Sequence, residues 1–386
     1  MKKSIGKLLL ALVIVFSAVM LIKSYRIQAG EGKTVRVSTA KQLKKAIKNE
    51  DVGTIILRTE AYITITIKAD KAAADKFLII DSDNVNVVNK AVFAGIEIQS
   101  ANKYTESVSG NKISVTGYLG DVHDSLIISK KKQVECLTLQ NVFYDPGYVL
   151  RKGAKVKELV LVMKDNGAPV ELSLTAKNKT GKIHLKNEYG FIQDYKISID
   201  KYGRISGIFC DSDTLEFACD YKYKYNSNGN VIEISGWDNE NGDFTDIYTY
   251  SNGNLVKRVY NGFDPIERDY TYDSNGNKVS VKVYCEYHMD GQSWSETSYY
   301  EYEYDENDRL IYERYEDEDG DRTSENSYKY DSKGFCVEEY SNDYGLESFM
   351  TYTYNKYGDQ VSIKCTSDGE TRVTTYKYNK LGEPKK

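Results

Sequence analysis

The stretch "YKYNSNG" (residues 223–229) returns as "YTYDSNG" (270–276) and "YKYDSKG" (328–334). Aligned on the second tyrosine of each Y-x-Y, the copies place Tyr225, Tyr250, Tyr272, Tyr304, Tyr330, Tyr354 and Tyr378 in register, separated by 25, 22, 32, 26, 24 and 24 residues. Self-similarity at such a period marks a repeat array. A degenerate earlier copy, "YKISIDKYG" (195–203), puts Ile199 at the tyrosine position, so the array starts near residue 190.

Five of the seven copies close on Asn/Asp-x-x-Gly, ending at Gly229, Gly276, Gly334, Gly358 and Gly382. This is hairpin chemistry: Asn or Asp opens the turn by bonding its own backbone, and Gly takes the left-handed conformation that ends a type I turn with a bulge. Positive φ is therefore predicted at these glycines. Two copies depart from the pattern: "SNG" after Tyr250 is one residue shorter, and "DEND" after Tyr304 puts Asp308 where Gly is expected. On that reading, Asp308→Gly stabilises the protein.

The flanks alternate as half-buried strands do, with Val279, Val281, Val283 and Cys285 interleaving with Ser280, Lys282 and Tyr284. Within Y-x-Y the middle residue is Lys, Thr or Glu, so both tyrosines share one face and a soluble residue takes the other. Second turns such as "DNENGD" (238–243) and "DEDGD" (317–321) lie between the motif turns. Each repeat is thus two antiparallel strands, and the array a meander of about fifteen. The pattern resembles the YD repeats of the bacterial Rhs family, which implies a long antiparallel sheet that can coil.

The N-terminal half has a different rhythm. "VRVSTAKQLKKAIKNEDVGTIIL" (35–57) reads strand, helix, strand, with the helix running from Thr39 to about Lys48, capped by Ser38 or Thr39 and apolar at Leu43, Ala46 and Ile47. Short β-branched runs follow without helices, among them "ITITI" (63–67), "FLIID" (77–81), "SLIIS" (125–129), "VELSL" (170–174) and "KIHL" (182–185). The segment resembles the secreted right-handed β-helices of the pectate-lyase-like type, in which a helix covers the open end. A β-sandwich produces a similar strand series and stays open as the alternative. The fold class read from the sequence is all-β, a parallel β-helix followed by the antiparallel meander. Its divisions are residues 1–29, 30–189 and 190–386.

Residues 1–29 read as a signal peptide or N-terminal anchor: Lys2, Lys3 and Lys7 precede the apolar run "LLLALVIVFSAVMLI" (8–22), which is short for a membrane span. The rest is then secreted or held at the cell surface, with membrane contact only through an uncleaved N-terminal segment. Residues 31–190 carry 25 basic against 18 acidic residues, net +7, and residues 191–386 carry 22 against 39, net −17. The second half repels polyanions, which excludes nucleic acid as its partner. Six scattered cysteines without a CxxC pair exclude a zinc ribbon, and leave buried thiols or a Cys210–Cys219 bridge as the alternatives.

No catalytic triad or metal pair is visible, and no cofactor is expected. His123, His184 and His288 are far apart, Asp81 and Asp83 in "IDSDN" read as a solvated turn, and "DEDGD" lacks the acidic twelfth position of a calcium loop. Tyrosine is the concentrated chemistry, 28 of 34 falling after residue 185 together with Trp237 and Trp294. Flat amphipathic rings on a sheet either stack on sugars and partner side chains or pack on one another. The candidate ligand-binding residues are therefore Trp237, Trp294 and the seven motif tyrosines. The expected role is a non-catalytic extracellular binding or adhesin-like scaffold, its partner a glycan or a host or cell-surface protein. The enzyme alternative is a polysaccharide lyase or hydrolase acting along the β-helix.

Overall fold

The computed structural model describes residues 32–382 except 120–124, 141–146, 188–189, 215–217, 240 and 290–291, together with 384–385. The proposed leader and His123 lie outside the described residues. The described residues are all-β, in two sheets.

The first sheet is a parallel solenoid of about five coils. One ladder runs through β1 (Lys33–Val37), β2 (Val52–Leu57), β4 (Phe77–Asn89), β5 (Gly95–Glu106), β6 (Lys112–Leu119), β8 (Gln133–Gln140) and β10 (Lys155–Asp165). A second ladder links β3 (Ile63–Ile67), β4, β5, β7 (Leu126–Ile128) and β9 (Tyr148–Leu150), also parallel. Parallel pairing between strands joined by short turns excludes the sandwich, whose neighbours run antiparallel. Ile55, Leu78, Ile96, Ile113, Leu137 and Leu159 stack as one internal column, each almost fully buried. Such a column removes every apolar side chain from water without a second layer.

Helix α1 (Ala40–Ile47) closes the N-terminal end with Leu43, Ala46 and Ile47 buried, and the Thr39 hydroxyl caps it by accepting from the Gln42 N–H at 3.2 Å. At one bend the buried Glu106 carboxylate accepts from the Tyr104 hydroxyl (2.7 Å), the Asn89 and Asn111 amides (3.1 and 3.0 Å) and the Val108 N–H (3.0 Å). Burial nevertheless dominates and raises its pKa.

The other end is a hairpin. Asn166 and Gly167, both at positive φ, reverse the chain so that β11 (Ala168–Thr175) returns antiparallel on β10. "VELSL" is therefore that returning strand. "KIHL" is not a coil either: it lies in β12 (Thr180–Lys186), the first strand of the second sheet, which thus begins before residue 190. An Asn-Gly turn matches the twist of antiparallel strands, and that local chemistry ends the solenoid.

The second sheet, β12 to β27 (Glu370–Thr375), is a sixteen-stranded meander in strict chain order. At six copies of the motif the register slips by one residue at the second tyrosine, as between Lys224 and Tyr225 or Thr271 and Tyr272. The bulge ends in the predicted left-handed residue: Gly229 and Gly276 lie at φ +89°, Gly334 at +92° and Gly358 at +85°. Asp308 takes the same conformation at +59°. The turn-opening acid or amide does what its chemistry predicts, Asp273 Oδ1 accepting from the N–H groups of Asn275 (2.9 Å) and Asn277 (2.8 Å).

Candidate functional site

The motif tyrosines are first of all stitches between repeats. The hydroxyl of Tyr225 donates to the Ile205 carbonyl (2.6 Å), Tyr272 to Leu255 (2.8 Å), Tyr330 to Leu310 (2.8 Å) and Tyr354 to Cys336 (2.8 Å). Each acceptor is the first or, for Leu255, the second residue of the strand leaving the preceding motif turn. The leading tyrosines of the motif bond acids on the same face, Tyr248 to Asp246 (2.6 Å) and Tyr328 to Glu313 (2.7 Å). Tyr221, Tyr223 and Tyr248 are buried against the solenoid, whereas the later rings are half-buried.

The edge of the meander that carries the motif turns docks on the solenoid at two places. At its C-terminal coils, Val156 N–H donates to the Tyr202 carbonyl (2.9 Å), the Tyr148 hydroxyl to the Gly203 carbonyl (2.9 Å), and Arg151 to Asn230 Oδ1 (2.6 Å). Gly229 lies so close to the Leu150 carbonyl that no Cβ would fit. At the N-terminal coils, Tyr62 N–H donates to the Gly334 carbonyl (2.9 Å), the Tyr62 and Tyr330 rings meet edge to face at 5.1 Å, and Arg36 forms a buried ion pair with Asp359.

Between these anchors the two components cannot keep step. From the coil of Leu150 to that of Ile63 is four strand spacings, about 19 Å. From the turn of Gly229 to that of Gly334 is four repeats of two strands each, about 38 Å. The sheet edge has to bow outward. The turns in the middle stand off accordingly: a Cβ at Gly253 or Gly276 would meet nothing within 4 Å.

The bow leaves a cavity of about 640 Å³, within the usual range for small-molecule sites. The solenoid flank contributes Asp83, Asn84, Asn86, Asn102 and Lys103, and the turns contribute Tyr250, Asn254, Tyr272, Asn275, Asn277, Tyr304, Asn307 and Asp308. Both copies that depart from the repeat pattern, the short turn at Gly253 and the glycine-free turn at Asp308, line this space. Asp308 Oδ1 accepts from the side-chain amides of Asn275 (2.9 Å) and Asn277 (2.8 Å), which ties two turns together across the opening. The Tyr304 hydroxyl has no hydrogen-bond partner among the described residues, unlike the stitching tyrosines. Burial and the nearby Asp273 charge push its pKa up to about 12, so it stays a neutral donor at physiological pH. Burial, with the neighbouring Asp81 charge, also raises Asp83.

Of the residues nominated from the sequence, Tyr250, Tyr272 and Tyr304 line the cavity. Tyr225 and Tyr330 belong to the anchors, Tyr354 stacks on Phe335 with ring centroids 4.7 Å apart, and Tyr378 pairs with Pro384 in an isolated bridge. The tryptophans lie elsewhere. Trp294 is exposed near a far-edge hairpin and stacks on Tyr287 at 5.5 Å, and Trp237 is half-buried opposite Asp220 and Asp243. His184 bonds Asp194 at 2.8 Å on the exposed face of β12, and His288 meets the edge of Phe263 at 6.4 Å. Asp81 is ion-paired with Arg58. Cys210 and Cys219 face each other on adjacent strands as free thiols, with pKa values pushed by burial to about 11 and about 12. The polar lining of the cavity escaped the sequence reading. Its available signal was the pair of irregular turns, read there only as backbone geometry.

No protein-family model and no curated protein matches the chain. Solved structures similar in part include a porin-like protein from Bacteroides uniformis, at 12% identity over 56% of this chain and 92% of that one, with a TM-score of 0.24. A porin-like protein from Bacteroides vulgatus aligns at 11% identity over 48% and 92% of the two chains, with a TM-score of 0.25. Likeness at this level carries no argument about function.

Proposed function

We propose that this protein is a non-catalytic, carbohydrate-binding scaffold on the outside of a bacterial cell, adhesin-like in role, with its ligand in the cavity between solenoid and meander. One observation carries this reading: the two copies that break the repeat both line the cavity, among aromatic rings and short amides. Asn, Asp and Tyr offer donors and acceptors on short stems, and tyrosine faces stack on sugar rings. Asp83 and Asp308 face Lys103, Lys278 and Arg309 around the wall, so no single charge dominates and a neutral saccharide fits best. The stacked coils and the bulged Y-x-Y-N/D-x-x-G hairpins support the pectate-lyase-like and YD-type readings of the two parts. The lysine-flanked apolar leader supports export.

The test is a glycan array probed with the full chain at low and high salt, repeated with Tyr304→Ala and Asp308→Gly. Salt-insensitive binding that both variants lose supports the reading. Binding unaffected by either variant moves the site elsewhere, the exposed Trp294 being the next residue to replace.

A hydrolase or lyase is the second reading, favoured by the single fact that Asp83 lines the cavity with a raised pKa. Saccharide cleavage abolished by Asp83→Asn, with binding retained, would establish it.

A further inference from the structure

A second site lies on the same flank of the solenoid, past the docked turn of Gly229. Ile127 pairs with Val149 and Ile128 with Leu150 in parallel register, so the turns that follow, residues 129–133 and 151–155, lie one above the other about 4.8 Å apart. The upper turn carries Lys130, Lys131 and Lys132, and the lower one Arg151, Lys152 and Lys155. Backbone bonds from Lys131 N–H to the Lys152 carbonyl (3.2 Å) and from Lys155 N–H to the Lys132 carbonyl (3.0 Å) fix the stacking.

Cations held in a column repel one another, and a turn that needed only solubility would be better served by mixed charge. Among the described residues no ion pair engages any of these five lysines. Glu135, the next acid along the chain, is taken by Lys157 at 2.5 Å. The patch is also concave. Ser129, Lys130, Arg151 and Lys152 border an open depression of about 360 Å³ with Ile127, and Asn228 of the first full repeat turn lines its other side. The bond from Arg151 to Asn230 holds the guanidinium in place at that wall.

We infer that this step binds the anionic groups, carboxylate, sulfate or phosphate ester, of a soluble polyanionic polymer. A column of cations on successive coils matches several charges on one chain better than a single ion. The net −17 of residues 191–386 repels such a polymer from the repeat sheet, which confines it to the basic flank. The inference does not depend on what the larger cavity holds.

The experiment titrates dextran sulfate, unsulfated dextran and phosphatidylglycerol-containing vesicles onto the full chain at about 0.1 M and about 1 M salt. It is repeated with Lys130→Gln/Lys152→Gln and with a control pair on the exposed face of α1, Lys41→Gln/Lys44→Gln, thermal melting confirming that both are folded. Dextran sulfate should bind at low salt and release at high salt, and the Lys130/Lys152 pair should weaken it by roughly tenfold or more against about twofold for the control. Vesicles should not bind, and any binding of unsulfated dextran should be unchanged by salt and by the Lys130/Lys152 pair. The proposal is overturned by absent or salt-insensitive binding of dextran sulfate, by equal loss in the two pairs, or by capture of vesicles in place of the polymer.

Discussion

Gly229 and Gly276 hold the same motif position at the same φ of +89°, yet the first abuts the Leu150 carbonyl and the second faces open space. Gly276→Val should therefore cost only the left-handed conformation, on the order of 1–2 kcal/mol. Gly229→Val adds a collision with solenoid backbone and should lower the urea midpoint further; equal losses would mean that this turn is not docked. Asp308 separates the two kinds of information in a sequence. The motif alone predicted its left-handed backbone and a gain from Asp308→Gly, because a repeat pattern encodes φ. It did not encode the amides of Asn275 and Asn277 arriving from the neighbouring repeat. Relief of about 1 kcal/mol in the backbone is now set against two exposed hydrogen bonds of about 0.5–1.5 kcal/mol each. Asp308→Gly should change stability in urea by between nothing and a loss of about 2 kcal/mol, rather than stabilise, while weakening saccharide binding. A clear stabilisation would show that the amides are not engaged.

At the scale of elements, a repeat is two strands closed by a bulged turn, and it keeps facing only if removed whole. Deleting residues 305–354 takes out two repeats and leaves every remaining strand with its inner face inward. The shortened array should fold, as read by far-ultraviolet circular dichroism and resistance to proteolysis. It should also lose the cavity, because the turn of Asp308 is gone and the anchor at Tyr330 and Gly334 goes with it. Removing half a repeat reverses all later faces and should expose the array to proteolysis; equal tolerance of the two deletions would count against the meander. Period, turn type and facing were legible because each is set within a few residues. The transition between sheets was less so: "KIHL" has the same β-branched look as a coil, and the Asn166–Gly167 reversal before it decides the matter. Which turns dock and which stand off depends on contacts such as Tyr62 with Gly334, between segments distant in the chain, and no local pattern carries that.

For the whole molecule, the tyrosines set a pH limit. Burial pushes Tyr62, Tyr302 and Tyr304 from 10.0 up to about 12, and moves Tyr328, Tyr330, Tyr352 and Tyr354 upward as well. Between pH 10 and 12 the folded state therefore holds more protons than the unfolded one, and stability falls as pH rises. It is fully present below pH 10. Tyrosinate absorbance should lag in the folded protein relative to the urea-unfolded chain, with the urea midpoint dropping across the same window. Coincident titration curves would place those hydroxyls in water.

The mismatch of one strand per coil against two per repeat works as a vernier. Adding a repeat between the anchors lengthens the outer scale by about 9.6 Å, whereas adding a coil lengthens the inner one by about 4.8 Å. The aperture between them is thus set by two whole numbers, and insertion or loss of complete units changes it in discrete steps with no side chain redesigned. A chain of this construction can widen or narrow that cavity by duplication or loss of gene segments alone.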